Sequence, residues 1–293
     1  MSEILPRDMK TFGYTITALI AFAANSVLCR MALKDQTIDA SSFTVIRLLS
    51  GIAMFVILLN LKKTKIKDIA ETKNGSWWAA LTLFLYAVTF SFAYVTLDTG
   101  TGALVLFGAV QLTMIIASII NGNKLHISEW LGIAISFTGL VYLVYPTMTT
   151  PSIFGFCLMG VSGIAWGAYS LAGRGSTNPL RDTAANFKLT APFVVVLALI
   201  AILSIHLSLE GFVLAVMSGA LASAVGYTIW YMALAGLSTT EAAVVQLSVP
   251  IIAAMGGVLF VSEAITTRLI FSSLLVLGGI LTVVLGRYYF VKH

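Results

Sequence analysis

A single arginine interrupts the stretch SSFTVIRLLSGIAMFVILLN, residues 41–60, whose other residues carry no charge. Arg47 keeps its proton at any physiological pH, and its planar fork of N–H donors matches a carboxylate. Two readings are open. In one, the side chain snorkels to nearby headgroups, which reduces a penalty of roughly 2.5–3.5 kcal/mol for a charge at mid-membrane. In the other, Arg47 faces a vestibule and meets a carboxylate of substrate or protein. Few further polar groups fall mid-way along apolar runs: Asn25 and Ser26, Gln111 and Thr113, Gln246 and Ser248. Aromatic residues at similar depth are Tyr94, Trp166 and Tyr169, Tyr227 and Trp230.

Gln246 stands out for a backbone reason. Pro250 has no N–H to donate to the carbonyl four residues earlier, so the Gln246 carbonyl loses its usual partner beside an expected kink. Side-chain amide and freed carbonyl would make one polar spot; a helix-to-helix hydrogen bond would fill the same need. No Asp or Glu lies at mid-span, because Glu241 and Glu263 flank one apolar run and Asp98 ends another. A carboxylate proton relay through the centre therefore lacks its residues. The chain holds no His/Asp/Glu cluster, no H-E-x-x-H and no Gly-rich phosphate loop, so neither catalysis nor a metal or other cofactor is expected. His126, His206 and His293 fall in loops or at the tail, and Cys29 and Cys157 are expected as small core residues. A neutral, partly aromatic site of this kind suits an amphipathic or zwitterionic small molecule better than an inorganic ion.

The elements that must hold these residues are membrane spans. The 293 residues are 59% hydrophobic and only 10% charged, with a mean hydropathy of +0.98. That composition belongs to an integral membrane protein. Apolar runs place ten helices near 12–33, 40–61, 77–96, 101–120, 127–145, 152–173, 184–205, 211–234, 239–261 and 267–290. The N-terminus mixes acids and bases and runs straight into a full-length span, so a cleaved signal peptide is not expected.

With both termini inside, the cytoplasmic segments carry Arg7, Lys10, Lys62, Lys63, Lys65, Lys67, Lys73, Lys124, Arg174, Arg181, Lys188, Arg287 and Lys292. The opposite loops carry Lys34 and Arg268, while Arg30 and Arg47 lie within outer parts of helices. This asymmetry predicts a cytoplasmic-membrane protein with cytoplasmic termini. The net charge of +5 reports on orientation and not on nucleic acid.

The two halves repeat. FTVIR at 43–47 sits opposite AANFK at 184–188, which pairs Arg47 with Lys188; AYVTL matches WYMAL, and TGLVYLV at 138–144 matches GGILTVV at 278–284. Five spans per copy is an odd number, so the second copy enters the bilayer from the opposite side. The expected domains are residues 1–148 and 149–293, two inverted five-helix units.

The chain resembles the drug/metabolite transporter superfamily, in particular its EamA-type ten-helix members. The resemblance rests on FTVIRLLSG in the second helix, STTEAAVVQLSVPIIAAMGGVLFVSE at 238–263 and NGNKLHISEWLGIAISFTGLVYLVYP at 121–146. Two features depart from the family pattern. Ser262 stands before Glu263 where the family usually has glycine, and the first-half counterpart of that acid is Asn123 with no proline matching Pro250.

The resemblance implies an all-α carrier of small organic metabolites working by alternating access, with amino acids prominent among its substrates. The YddG-type aromatic amino-acid exporters are the nearest specific comparison. Asn25, Tyr94, Gln111, Trp166, Tyr169 and Gln246 are the expected substrate contacts, and Arg47, Pro250 and Glu263 the expected vestibule or gating residues. The expected partners are the substrate and the lipid bilayer, in a monomer or a homodimer. A nucleotide-sugar or drug carrier of the same superfamily is the alternative, followed by a membrane enzyme or scaffold that transports nothing.

Overall fold

A computed structural model describes residues 7–61, 75–120, 122, 126–145, 152–173, 176, 178–234, 236–237 and 245–290. Ten apolar helical segments account for nearly all of these residues, and eight of them are long and apolar enough to cross a membrane. They are α1 (Arg7–Lys34), α2 (Ala40–Leu61), α3 (Trp77–Tyr94), α4 (Thr99–Ile120), α5 (Ile127–Val144) and α6 (Ile153–Ala172). The others are α7 (Leu180–Ser204) and α8 (Leu209–Leu234), then α9 (Val249–Val261) and α10 (Thr267–Phe290).

Polar residues mark where these helices begin. Ser76, Ser152, Asn178 and Ser208 each accept a backbone N–H of the first turn. His126 and Glu129 form a reciprocal capping box at the start of α5. Asp39 serves α2 in the same way, accepting the Ser42 amide at 2.9 Å. Each cap satisfies donors that a helix end otherwise leaves open.

Packing puts polarity inside and oil outside. Asn25, Ser26, Arg47, Thr44, Ser91, Ser162 and Ser218 are buried, whereas Phe154, Leu199, Leu203 and Leu259 project outward. In hydrocarbon this is the stable arrangement, since polar groups find partners only within the bundle. Cys29 is buried as expected, but Cys157 is exposed on the outer face of α6. A small thiol is apolar enough to face lipid, so burial is not required of it.

The helix contacts obey a hidden symmetry. α3 packs on α6 and α8 on α1, α4 on α6 and α9 on α1, α2 on α8 and α7 on α3. Replacing each helix by the one five places along exchanges the members of each pair. The contacts α5–α10, α4–α9 and α2–α7 map onto themselves. Two copies of one five-helix unit, inverted relative to each other, produce this pattern.

Two local departures matter below. α8 is not α-helical throughout, because Met217–Val225 form a π-helical stretch. The ninth span is interrupted at Leu247–Ser248, just before α9, and Pro250 lies in the first turn after the break. The expected kink is thus a restart. Proline is favoured in a first turn, where its missing N–H would have no intrahelical partner.

Outside the spans, the α1–α2 and α7–α8 connections join as a short strap, with Ile38 bridging Leu207 antiparallel. Asp39 Oδ2 accepts the His206 amide at 3.0 Å. Burial alone would raise the Asp39 carboxyl, but hydrogen bonds from Ser42 and His206 outweigh it and hold the group below its usual range. The basic residues Lys62, Lys63, Lys65, Lys67, Lys73, Lys124, Arg174 and Lys292, expected on the cytoplasmic side, along with Asn123, Glu241 and His293, lie outside the described residues.

A close helix crossing brings Gly132 of α5 against Gly279 of α10, so that a Cβ on either would strike the other's carbonyl oxygen. Gly132→Ala should therefore lower apparent stability by about 1–3 kcal/mol, read as a drop in Tm in detergent. Gly160→Ala, which points into open space, should leave Tm unchanged or slightly raised.

Candidate functional site

The site is built from one turn each of several helices meeting at mid-bundle. α3 presents Tyr86, Phe90 and Tyr94 at four-residue spacing, so their rings line a single face. The Phe90 ring is 4.8 Å from that of Tyr94 and 5.4 Å from that of Tyr86. α6 brings Trp166, whose ring sits 4.8 Å from Tyr86 and 4.9 Å from Tyr227 of α8. α1 completes the wall with Phe22, Asn25 and Ser26, and α4 with Leu106 and Phe107. All of these residues except Tyr94 enclose a cavity of ≈ 20 Å³, which is room for a water molecule or so. No charged residue lines it.

Arg47 stands directly behind this wall. Its guanidinium lies 5.1 Å from the Tyr86 ring centre and 4.8 Å from that of Phe90. Nη2 donates to Tyr86 Oη at 2.9 Å. The residue is only 2% exposed, so it does not snorkel: α3 and α8 cover the face of α2 that carries it. Desolvated cation–π contacts contribute about 2 kcal/mol each, and a charge-assisted hydrogen bond about 1.5–3 kcal/mol. Together they suffice to hold a charge whose insertion costs a few kcal/mol. Yet Nη1 is enclosed with no acceptor in reach.

Tyr86 is the hub. Its Oη also accepts Asn25 Nδ2 at 3.3 Å, and its carbonyl accepts Ser162 Oγ of α6 at 3.1 Å. Asn25 Oδ1 in turn accepts Ser218 Oγ, so α1, α2, α3, α6 and α8 meet in one polar network. Ser218 belongs to the π-helical stretch of α8, and next to it Gly219 presses on the Arg47 carbonyl so closely that no side chain would fit. The wide π-turn and the glycine together let α8 approach α2 at this level.

A second cluster closes the bundle where α1, α3, α4 and α9 end. Arg30 Nε donates to Glu263 Oε1 at 2.9 Å, Nη1 to the Tyr94 carbonyl at 2.9 Å, and Nη2 to Asp98 Oδ1 at 3.4 Å. The other Glu263 oxygen accepts the Thr99 amide at 2.8 Å, capping α4. Asp98 sits outside the spans. Burial and the neighbouring Glu263 carboxylate raise its carboxyl above the ordinary range. Ser262 takes the left-handed conformation, φ 55°, and lets the chain reverse so that Glu263 points back. A glycine would adopt this backbone without strain.

Of the residues singled out in the sequence, Asn25 and Trp166 line the cavity, and Arg47 touches two of its rings. Tyr169 stacks behind Trp166 at 5.4 Å. Tyr94 packs one step from the cavity, its Oη donating to the Thr99 carbonyl at 3.3 Å. Gln111 is buried on α4 outside the lining. Gln246 is half-buried at the α9 break, beside Ser248, whose Oγ donates to the Val245 carbonyl at 2.6 Å. Glu263 belongs to the end cluster and Pro250 to the α9 restart. Lys188, expected as the partner of Arg47 in the repeat, is exposed. The neighbouring Phe187 is the buried one, packed on Phe55 at 5.0 Å and on Tyr227 at 6.3 Å.

Sequence reasoning passed over Tyr86, Phe90 and Arg30. The first two were signalled by the aromatic stripe at 86, 90 and 94. Arg30 could have been sought as the partner of Glu263, because a charge near a span end needs a counter-charge.

The profile of the EamA-like transporter family matches twice, at residues 9–145 and 153–285. An uncharacterized protein of Pseudomonas aeruginosa is 45% identical over 280 residues, covering 96% of each chain. An uncharacterized transporter of Archaeoglobus fulgidus is 28% identical across 79% of this chain and 83% of its own. A crystal structure superposes with a TM-score of 0.61 at 16% identity, covering 92% of this chain and 97% of its own, which is a likeness of fold alone. The chain belongs to the EamA-like transporter family, within the drug/metabolite transporter superfamily, and is a multi-pass membrane transporter of small molecules and not an enzyme.

Tyr86→Phe removes the acceptor for both Arg47 Nη2 and Asn25 Nδ2. It should cost about 1–3 kcal/mol per stranded donor, seen as a lower Tm of the purified protein, whereas Tyr142→Phe on the exposed face of α5 should leave Tm unchanged.

Proposed function

We propose that this EamA-family transporter is a secondary carrier that exports small organic metabolites, foremost amino acids including aromatic ones, across the cytoplasmic membrane by alternating access. The observation that carries the reading is the central wall. Amide, hydroxyl and aromatic groups from both halves of the chain converge on one small cavity, while large side chains such as Leu199, Leu203 and Leu259 face outward. Hydrogen-bonding groups around ring faces suit amphipathic solutes of amino-acid size.

The cavity is too small for such a solute, so it must widen for loading and release. Residues 1–148 and 149–293 act as the two inverted units that move against each other. Arg30–Glu263 and the Asp39–His206 strap hold the outer end shut, and the α9 break at Leu247–Ser248, just before Pro250, serves as its hinge. Opening outward therefore requires Arg30 to release Glu263. Both termini face the cytoplasm in this reading, and the loop lysines anchor that side. A nucleotide-sugar substrate fits less well, because two phosphates call for a denser basic pocket than Arg47 alone provides.

Cells overproducing the protein should accumulate less of a toxic aromatic amino-acid analogue and tolerate more of it. Proteoliposomes preloaded with phenylalanine should exchange it saturably with external label. Failure of any metabolite in a broad panel to exchange would remove the carrier reading.

A further inference from the structure

Among the described residues two arginines, Arg30 and Arg47, are enclosed within the bundle, and they are treated differently. Arg30 spreads its three nitrogens over two carboxylates and two backbone carbonyls. Arg47 has Tyr86 Oη on Nη2 and nothing on Nη1, which is sealed from solvent. Both ion pairs found among the described residues involve Arg30, and neither involves Arg47. A guanidinium at this depth cannot shed its proton. One full positive charge with an unused donor edge therefore sits beside the central cavity, where the low dielectric magnifies its pull on an anion. Its repeat partner in the second half, Lys188, is exposed, so only the first copy places a charge inside the bundle at this position.

The cavity wall is as selective in what it lacks. It offers rings from Phe22, Phe90, Trp166 and Tyr227 and hydrogen bonds from Asn25 and Ser26, but no Asp or Glu. An ammonium group would find ring faces and neutral oxygens, not a counter-charge. A carboxylate would find Arg47.

We infer that Arg47 is the anion subsite of the transport cavity: the substrate must present a carboxylate to Nη1 and an apolar or aromatic body to the rings, and its amino group is dispensable. The inference rests on the central cavity being the substrate site, and it narrows the substrate class to monocarboxylates, with amino acids as one subset. Phe90 and Tyr86, now pressed on the guanidinium, are the groups that shift to admit the carboxylate. Ser218 on the π-helical stretch of α8 is the contact that slackens around Asn25 as they do.

The test is ligand-induced stabilisation of the purified full-length protein in nanodiscs by four related compounds: phenylalanine, 3-phenylpropionate, phenylalanine methyl ester and phenethylamine. The two carboxylates should raise Tm in a saturable way, while the ester and the amine should bind at least tenfold more weakly. Arg47→Met should weaken carboxylate binding about 10- to 100-fold, and Arg47→Lys should do so less; the wild-type panel decides the matter even where a variant fails to fold. Equal binding of phenylalanine and its methyl ester would overturn the inference and leave the amino-acid reading standing. Binding of 3-phenylpropionate without phenylalanine would do the reverse. Binding of none of the four would overturn both.

Discussion

A guanidinium that cannot be neutralised, carried on a helix that has to cross oil, constrains everything packed around it. α2 can place Arg47 at this depth only if its neighbours enclose the charge. Two rings and one phenol oxygen from α3 do so, with α8 closing over the backbone. The enclosure fixes where α3 sits, which in turn sets Tyr86 against Asn25 of α1 and Trp166 of α6. The polar network is therefore also the geometric centre of the bundle, and it holds helices of both halves to one point.

The same centre is poorly suited to staying put. Its cavity is small, one guanidinium nitrogen lacks a partner, and α8 approaches through a π-helical stretch instead of a regular one. Such features raise the energy of the packed state without unfolding it, which favours a bundle with more than one arrangement of similar stability. The end cluster is the counterpart. Arg30, Glu263, Asp98 and the α4 N-terminus satisfy one another almost completely. Function in a carrier needs this contrast, a loosely satisfied middle between ends that can be fastened. In the mechanism we propose, the symmetry of the helix contacts would let one closed end be exchanged for the other, because an inverted repeat makes the two arrangements near-equivalent rearrangements of the same contacts.

Much of this was legible in the sequence, because oil imposes few solutions. Apolar runs placed nine helices within a few residues, while the ninth span, expected to start at 239, is a continuous helix only from Val249, after a break. The order of weak matches between halves suggested two copies, and the family profile matches the chain twice, at 9–145 and 153–285. The site was less legible. Depth along a helix can be counted, but the direction a residue faces cannot when the whole surface is apolar, so Gln111 and Tyr94 looked as eligible as Asn25. Tyr86 was hidden for the same reason: a tyrosine among phenylalanines and leucines reads as packing. Pro250 was assigned a kink because its position in the helix was counted from the apolar run. The chain instead breaks before it, at Leu247–Ser248, and lets the proline open a new turn. Arg47 itself was visible as an anomaly, and only the arrangement of α3 and α8 showed that it turns inward.

The central claim is that one cavity beside Arg47 meets each side of the membrane in turn. Its most direct test is a cysteine placed at Ser26, in a background with Cys29 and Cys157 replaced by alanine, probed with a membrane-impermeant thiol reagent from either face of oriented vesicles. The account predicts modification from both faces, slowed from both by bound carboxylate substrate. Modification from one face only, or protection from neither, would contradict it.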